Sequence, residues 1–303
     1  AGDGDNPVAD DCPRFSYDEN AEHGVMRSIE TIDMVIGDDD QITLGDGYKI
    51  VLGGVGDDVI TVNATTVAQA QGSRAVAGID GIDGKDPVVD QGRIGRYLVG
   101  DNARITFDQL GGLIGLRSSD AIAATGGIDT ISVGVRGTTA DLGYQVIVGG
   151  IAGDTIRIAS DSTSQDVIFG DNIDYQRRAL SYEQIQINSI DLTQGGADVI
   201  STGQGDKIVV AGFGSDRVTA ETASDSDLSI LLGDAGDLDY GSGGSGLLQR
   251  IESTGLNFGG NDTFTLGDGD LIFVGGFGAD TLKVDSQGKA TRVAVGDNAI
   301  LGL

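Results

Sequence analysis

Residues 275–283 read GGFGADTLK, and no other stretch constrains this chain more. The pattern is G-G-x-G-x-D-x-U-x, where U is a large apolar residue. Its glycines permit backbone angles that a Cβ forbids, and they free carbonyl oxygens to face an ion. Its aspartate supplies a hard, charged oxygen of the kind calcium prefers. Its apolar residue opens a strand with one buried side.

Degenerate copies of this turn recur inside a longer repeat. GGVGDDVI from Gly53, GGIAGDTI from Gly149, AGFGSDRV from Ala211 and GGFGADTL from Gly275 align, and each places an aspartate five residues on: Asp58, Asp154, Asp216 and Asp280. Upstream of each lies a second glycine–aspartate turn, at Gly37, Gly126, Gly195 and Gly259, with Asp40, Asp129, Asp198 and Asp262. A further glycine follows eight residues later, at Gly45, Gly134, Gly203 and Gly267. Each unit closes on an apolar run and a G-D-N-like turn, at Gly100, Gly170, Gly233 and Gly296, with an extra copy at Gly4. The last three of these are 63 residues apart. The units are therefore 4–99, 100–169, 170–232 and 233–295, with a further unit starting at 296–303. The first carries a loop insertion over 63–96, and insertions that spare the framework behave as loops on a repeat scaffold.

Composition narrows the function. A net charge of −28 opposes binding to nucleic acid or to anionic membranes. It also makes a metal-free chain self-repelling, so bound cations and folding should be coupled. Cys12 is the single cysteine and His23 the single histidine, which excludes an internal disulfide and disfavours a zinc site or a histidine triad. No apolar run is long enough to span a bilayer as a helix, and the first residues do not resemble a signal peptide.

Short β-branched bursts between Gly/Asp/Asn turns predict an all-β chain. The expected fold is a parallel β-roll or β-solenoid of four ~63-residue repeats with loop insertions, its coils stacked through backbone hydrogen bonds. A sandwich or barrel is the competing reading, and the sequence leaves two or three sheets open. A second kind of strand follows each G-D-N, closed by Tyr17, Phe107, Tyr175 or Tyr240. Residues 67–77 and, more weakly, 182–187 read as short helices.

GGFGADTLK, GGVGDDVI, GGNDTFTLGDGD and GGADVISTGQGD resemble the RTX (hemolysin-type calcium-binding) repeat proteins, and their mixture with G-D-N turns resembles repeat tracts of large bacterial surface proteins. The resemblance implies a parallel β-roll with several calcium ions in its turns, type I secretion, and folding outside the cell or at its surface. It departs from the family in that full nonamer turns alternate with strands lacking them, Ala211 replaces a glycine, and Asp234-Ala235 departs from G-D-N. Carried over by position, the expected calcium ligands are Asp58, Asp154, Asp216 and Asp280, then Asp40, Asp129, Asp198 and Asp262. Asp206 and Asp270 follow half a turn on, and Asp46 and Asp268 lie one residue after the second glycine. Asp101, Asp171 and Asp297 in the G-D-N turns either join them or cap turns through hydrogen bonds to backbone. Residues 78–86, GIDGIDGKD, are a candidate cation loop or a solvated one. The expected function is structural and non-enzymatic: a filament, surface-layer or adhesin-stalk subunit that stacks head-to-tail with itself. The alternative is a carbohydrate-binding or carbohydrate-modifying module, with polysaccharide held by the recurring aromatics.

Overall fold

The computed structural model describes residues 14–18, 25–31, 37–65, 95–109, 112–120, 126–179, 184–221, 227–241, 248–285 and 290–303. The helix expected over 67–77, the 78–86 loop, Cys12 and His23 lie outside these residues. All regular structure among the described residues is β. A hairpin, β1 (Arg14–Asp18) and β2 (Val25–Glu30), precedes β3 (Gln41–Leu44), β4 (Lys49–Leu52), β5 (Val59–Val62) and β6 (Gly95–Val99). The series then repeats. Hairpin β7 (Ala103–Phe107) and β8 (Leu113–Ser118) leads to β9 (Thr130–Val133), β10 (Asp141–Val148), β11 (Thr155–Ile158) and β12 (Thr163–Phe169). Hairpin β13 (Ile173–Arg177) and β14 (Gln184–Ser189) leads to β15 (Val199–Thr202), β16 (Lys207–Val210), β17 (Arg217–Ala220) and β18 (Leu228–Leu232). Hairpin β19 (Gly236–Asp239) and β20 (Arg250–Ser253) leads to β21 (Thr263–Leu266), β22 (Asp270–Val274), β23 (Thr281–Val284) and β24 (Arg292–Val295), and β25 (Ile300–Gly302) follows.

The strands sort into three open sheets. All hairpin strands and β25 form one antiparallel sheet of nine strands. Between hairpins the chain alternates between two parallel sheets of eight. The outer sheet is β3-β5-β9-β11-β15-β17-β21-β23, and the middle sheet is β4-β6-β10-β12-β16-β18-β22-β24. One strand from each parallel sheet makes a rung, so every hairpin is followed by two rungs.

Sequence pattern explains which sheet each strand joins. Middle-sheet strands such as KIVV, LSILL and DLIFV are nearly continuous apolar runs, because both of their faces are covered. Ile147, Leu98 and Leu231 pack toward the outer sheet, while Val146, Val148 and Tyr97 pack toward the hairpins. Outer-sheet strands such as VITV, VIST and TFTL alternate instead, burying every second residue. Identical registers stack Ile60, Ile131, Ile156, Ile200, Val218 and Phe264 in one buried row. Phe264 meets Phe273 across this core edge-to-face, with ring centroids 5.1 Å apart.

Two expectations need correction. The helix read over 182–187 is not formed: Gln184–Ser189 is strand β14, since Gln-Ile-Gln-Ile has period two and puts Ile187 in the core. The strand after each G-D-N is the first arm of an antiparallel hairpin, so the parallel sheets are only part of the fold.

Replacing Ile147, which has no exposed surface, by alanine should cost about 2–5 kcal/mol. Val293→Ala, in the exposed edge strand β24, should change stability by less than about 0.5 kcal/mol. Urea unfolding of both variants checks the layer assignment.

Candidate metal centre

Every passage from middle to outer sheet begins at a small residue and ends at an aspartate. The small residues are Gly53, Gly100, Gly149, Gly170, Ala211, Gly233 and Gly275, each directly after a middle-sheet strand. The matching aspartates, each directly before an outer-sheet strand, are Asp58, Asp129, Asp154, Asp198, Asp216, Asp262 and Asp280. Nonamer turns make four of these passages directly. The other three leave through G-D-N, make a hairpin and return through the second glycine–aspartate turn. The two motifs are thus one turn, with or without an inserted hairpin.

These aspartates form a continuous ladder. Asp40 donates its backbone N–H to Asp58 Oδ1, Asp58 to Asp129, Asp129 to Asp154, Asp154 to Asp198, Asp198 to Asp216, Asp216 to Asp262 and Asp262 to Asp280, all at 2.6–3.0 Å. Six of them, Asp58 through Asp262, are at most 2% exposed. Their Oδ1 atoms do the ordinary work of turn-forming aspartates. Their Oδ2 atoms do not: in all seven residues from Asp58 to Asp280, Oδ2 is buried and no donor reaches it.

The small residues complete the site. A methyl group on Gly53, Gly100, Gly149, Gly170, Gly233 or Gly275 would sit 2.0–2.6 Å from the ladder Oδ2 and 1.9–2.5 Å from a carbonyl oxygen of the next rung. A carboxylate oxygen and a carbonyl oxygen therefore converge on one small space. Two acceptors facing each other need a proton or a cation between them. The donor set, one carboxylate oxygen with backbone carbonyls, is hard and suits calcium. Among the described residues no three His, Cys, Asp or Glu side chains gather to hold a metal by themselves, so any ion here must draw on the carbonyls. At Asp216 the small residue is Ala211, which carries a methyl where the other six rungs have glycine.

Electrostatics tells the same story. Burial first, then neighbouring aspartates, push the carboxyl pKa of Asp154 up to about 10, of Asp262 to about 8 and of Asp129 to about 7. Burial, helped by neighbouring aspartates, likewise pushes Asp58 to about 6 and Asp216 to about 7 against the hydrogen bonds that lower them, and raises Asp198 well above the usual range.

The remaining sequence candidates lie elsewhere. Asp101 accepts from Gly127 N–H at 3.0 Å and Ile151 N–H at 2.5 Å, so it ties the two glycine turns of its own unit together. Asp234 does the same with Gly260 and Phe277, despite its departure from G-D-N, and Asp171 bonds Phe213. Asp101 and Asp234 behave as turn caps, while Asp171 caps through Oδ2 and keeps a buried Oδ1 with no donor. Asp297 is exposed. Asp46, Asp206, Asp268 and Asp270 sit on the opposite edge, where outer strands pass to middle strands. Phe107, Tyr175 and Tyr240 are 7%, 0% and 5% exposed, within the core between hairpins and middle sheet.

A scan against protein-family models finds no match, and searches of curated proteins and of solved structures find none either.

Ala152 stands at φ +86°, where the other nonamer turns have Gly56, Gly214 and Gly278 at positive φ. Ala152→Gly should therefore stabilise the chain by about 1 kcal/mol, read from its urea midpoint. The ladder also sets a pH dependence. In the folded state these carboxyls hold protons to higher pH than their unfolded value near 3.8. Their contribution favours folding at about pH 4 and is lost as pH rises through about 6 to 10. In a chelator, the urea midpoint should fall across that range; a rising midpoint would contradict the ladder's burial.

Proposed function

We propose that this chain is a calcium-stabilised, extracellular β-solenoid with a structural role, as in a filament, surface layer or adhesin stalk. One observation supports this above the rest: seven buried carboxylate oxygens in a single line with no donor, six of them converging with a backbone carbonyl on a glycine. Asp58, Asp129, Asp154, Asp198, Asp262 and Asp280 would hold the ions with the glycine-turn carbonyls. Asp216 is the weakest site because Ala211 crowds it. Bound cations would offset the mutual repulsion of the ladder and much of the −28 charge. A chain unfolded without calcium would then stiffen where calcium is plentiful, in keeping with secretion by a type I route. The reading assigns no catalysis.

Self-association belongs to the same proposal. The ladder alternates the two turn kinds from Asp40 to Asp280, so Asp40 of a second copy is the next rung in sequence type. The outer and middle sheets both end in open edges at β23 and β24. The hairpin sheet has nine strands against eight in the others, so a stacking copy could continue all three only if β1 or β25 gave way. The carbohydrate reading is weaker, since the described aromatics that suggested it are core residues.

Circular dichroism and electron microscopy during calcium titration of chelator-stripped protein test the proposal. β-structure should rise with calcium and rods should appear with it; a fold indifferent to calcium removes the central claim, and single particles remove the stacking. Asp154→Asn separates proton from metal. Its amide can donate where Oδ2 cannot, so the variant should gain about 1–2 kcal/mol in chelator. It should also show a smaller calcium-induced rise in its unfolding midpoint than the parent chain.

A further inference from the structure

The edge opposite the ladder solves the same electrostatic problem differently. There one register row crosses successive middle-sheet strands, with Lys49 beside Arg96, Arg96 beside Gln145, Gln145 beside Asp166, Asp166 beside Lys207 and Lys207 beside Ser229. Arg96 is fully buried and Lys207 is 2% exposed. Both lie on the face that meets the outer sheet, since they alternate with Tyr97 and Ile208, which pack toward the hairpins.

Each cation donates to a backbone carbonyl, the two lysines to the turn just before their own strand and Arg96 to the start of the neighbouring strand β10. Lys207 Nζ donates to the Gly205 carbonyl, Arg96 Nη1 to the Leu142 carbonyl, and Lys49 Nζ to the Asp46 carbonyl at 2.7 Å. Turn carbonyls are the groups that converge with Oδ2 on the ladder edge. Burial lowers the Lys207 pKa, while Asp166, Asp227, Asp206 and Glu221 pull it back up, so the ammonium sits among carboxylates as a metal would.

The carboxylates of this edge are satisfied in turn. Asp166 accepts from Gln145 Nε2 at 3.1 Å and Ser164 Oγ at 2.8 Å. Asp46 accepts from Thr65 N–H at 2.9 Å, Asp206 from Leu228 N–H at 2.9 Å and Asp270 from Thr291 N–H at 2.5 Å. Among the described residues, no buried carboxylate oxygen on this edge lacks a partner, whereas the ladder edge has one in each of seven successive rungs.

We propose that calcium is confined to the ladder edge, and that Lys49, Arg96 and Lys207 are built-in cations that make the opposite edge independent of metal. This rests on the calcium reading above. It excludes Asp46, Asp206 and Asp270 as ligands and gives the molecule one switchable edge and one fixed edge. Electrostatics favours the arrangement, because a divalent ion placed beside a buried ammonium would meet strong repulsion in a poorly screened interior.

The test counts bound calcium per chain by equilibrium dialysis with elemental analysis. The count should fall by at least one in Asp154→Asn and stay unchanged in Asp46→Asn and Asp206→Asn. Lys207→Met should lower the unfolding midpoint equally in calcium and in chelator. If it does not fold, the Asp206→Asn and Asp46→Asn counts still decide. A parent chain that binds calcium while Asp206→Asn or Asp46→Asn loses an ion overturns the one-edge inference and leaves the calcium reading standing. A parent chain that binds no calcium overturns both.

Discussion

The rest of this structure depends on a hydrogen bond from one aspartate's backbone N–H to the next aspartate's Oδ1, repeated rung after rung. It fixes how far each turn can sit from its neighbour, and so it holds the outer strands in register. It also commits one oxygen of each carboxylate and strands the other in a dry place. A buried, unpaired carboxylate oxygen is among the least favourable groups a fold can contain. A line of them is tolerable only if something positive arrives, whether protons or metal ions.

Around that constraint the remaining layers follow from simple patterning. The middle sheet is apolar on both faces because it has a neighbour on each side, and the outer sheet alternates because it has one. The G-D-N turns serve this arrangement indirectly. Asn102 bonds Asp120 through both its backbone N–H and its side-chain amide, closing the base of a hairpin, while Asp101 clamps the next two glycine turns.

Much of this was legible in the sequence. The eight aspartates of the ladder were all singled out from their glycine turns, since a G-x-D turn has a local signature. The merging of two motifs into one turn was not legible, because nothing local says that Gly100 and Asp129, with a hairpin between them, occupy the same place as Gly53 and Asp58. The hairpins themselves were half seen. Their first arms carry an aromatic marker, but second arms such as Gln-Ile-Gln-Ile look weakly helical until Ile187 finds the core. Arg96 and Lys207 escaped notice altogether, because buried cations are rare enough that a basic residue opening a strand reads as solvated. The one available signal was their shared register row near the start of middle-sheet strands, visible only once those strands are aligned.

The insertion of a hairpin at every second turn has a geometric consequence. Two hairpin strands span the same distance as two rungs, so the hairpin sheet and the parallel sheets advance together. With strands about 4.8 Å apart, hairpins recur at a pitch of about 10 Å along the axis. Length can be added at a hairpin tip without moving the aspartates behind it. The molecule is, in effect, a graduated ruler: its scale is set on one edge, and its markings stand on a face that can vary freely.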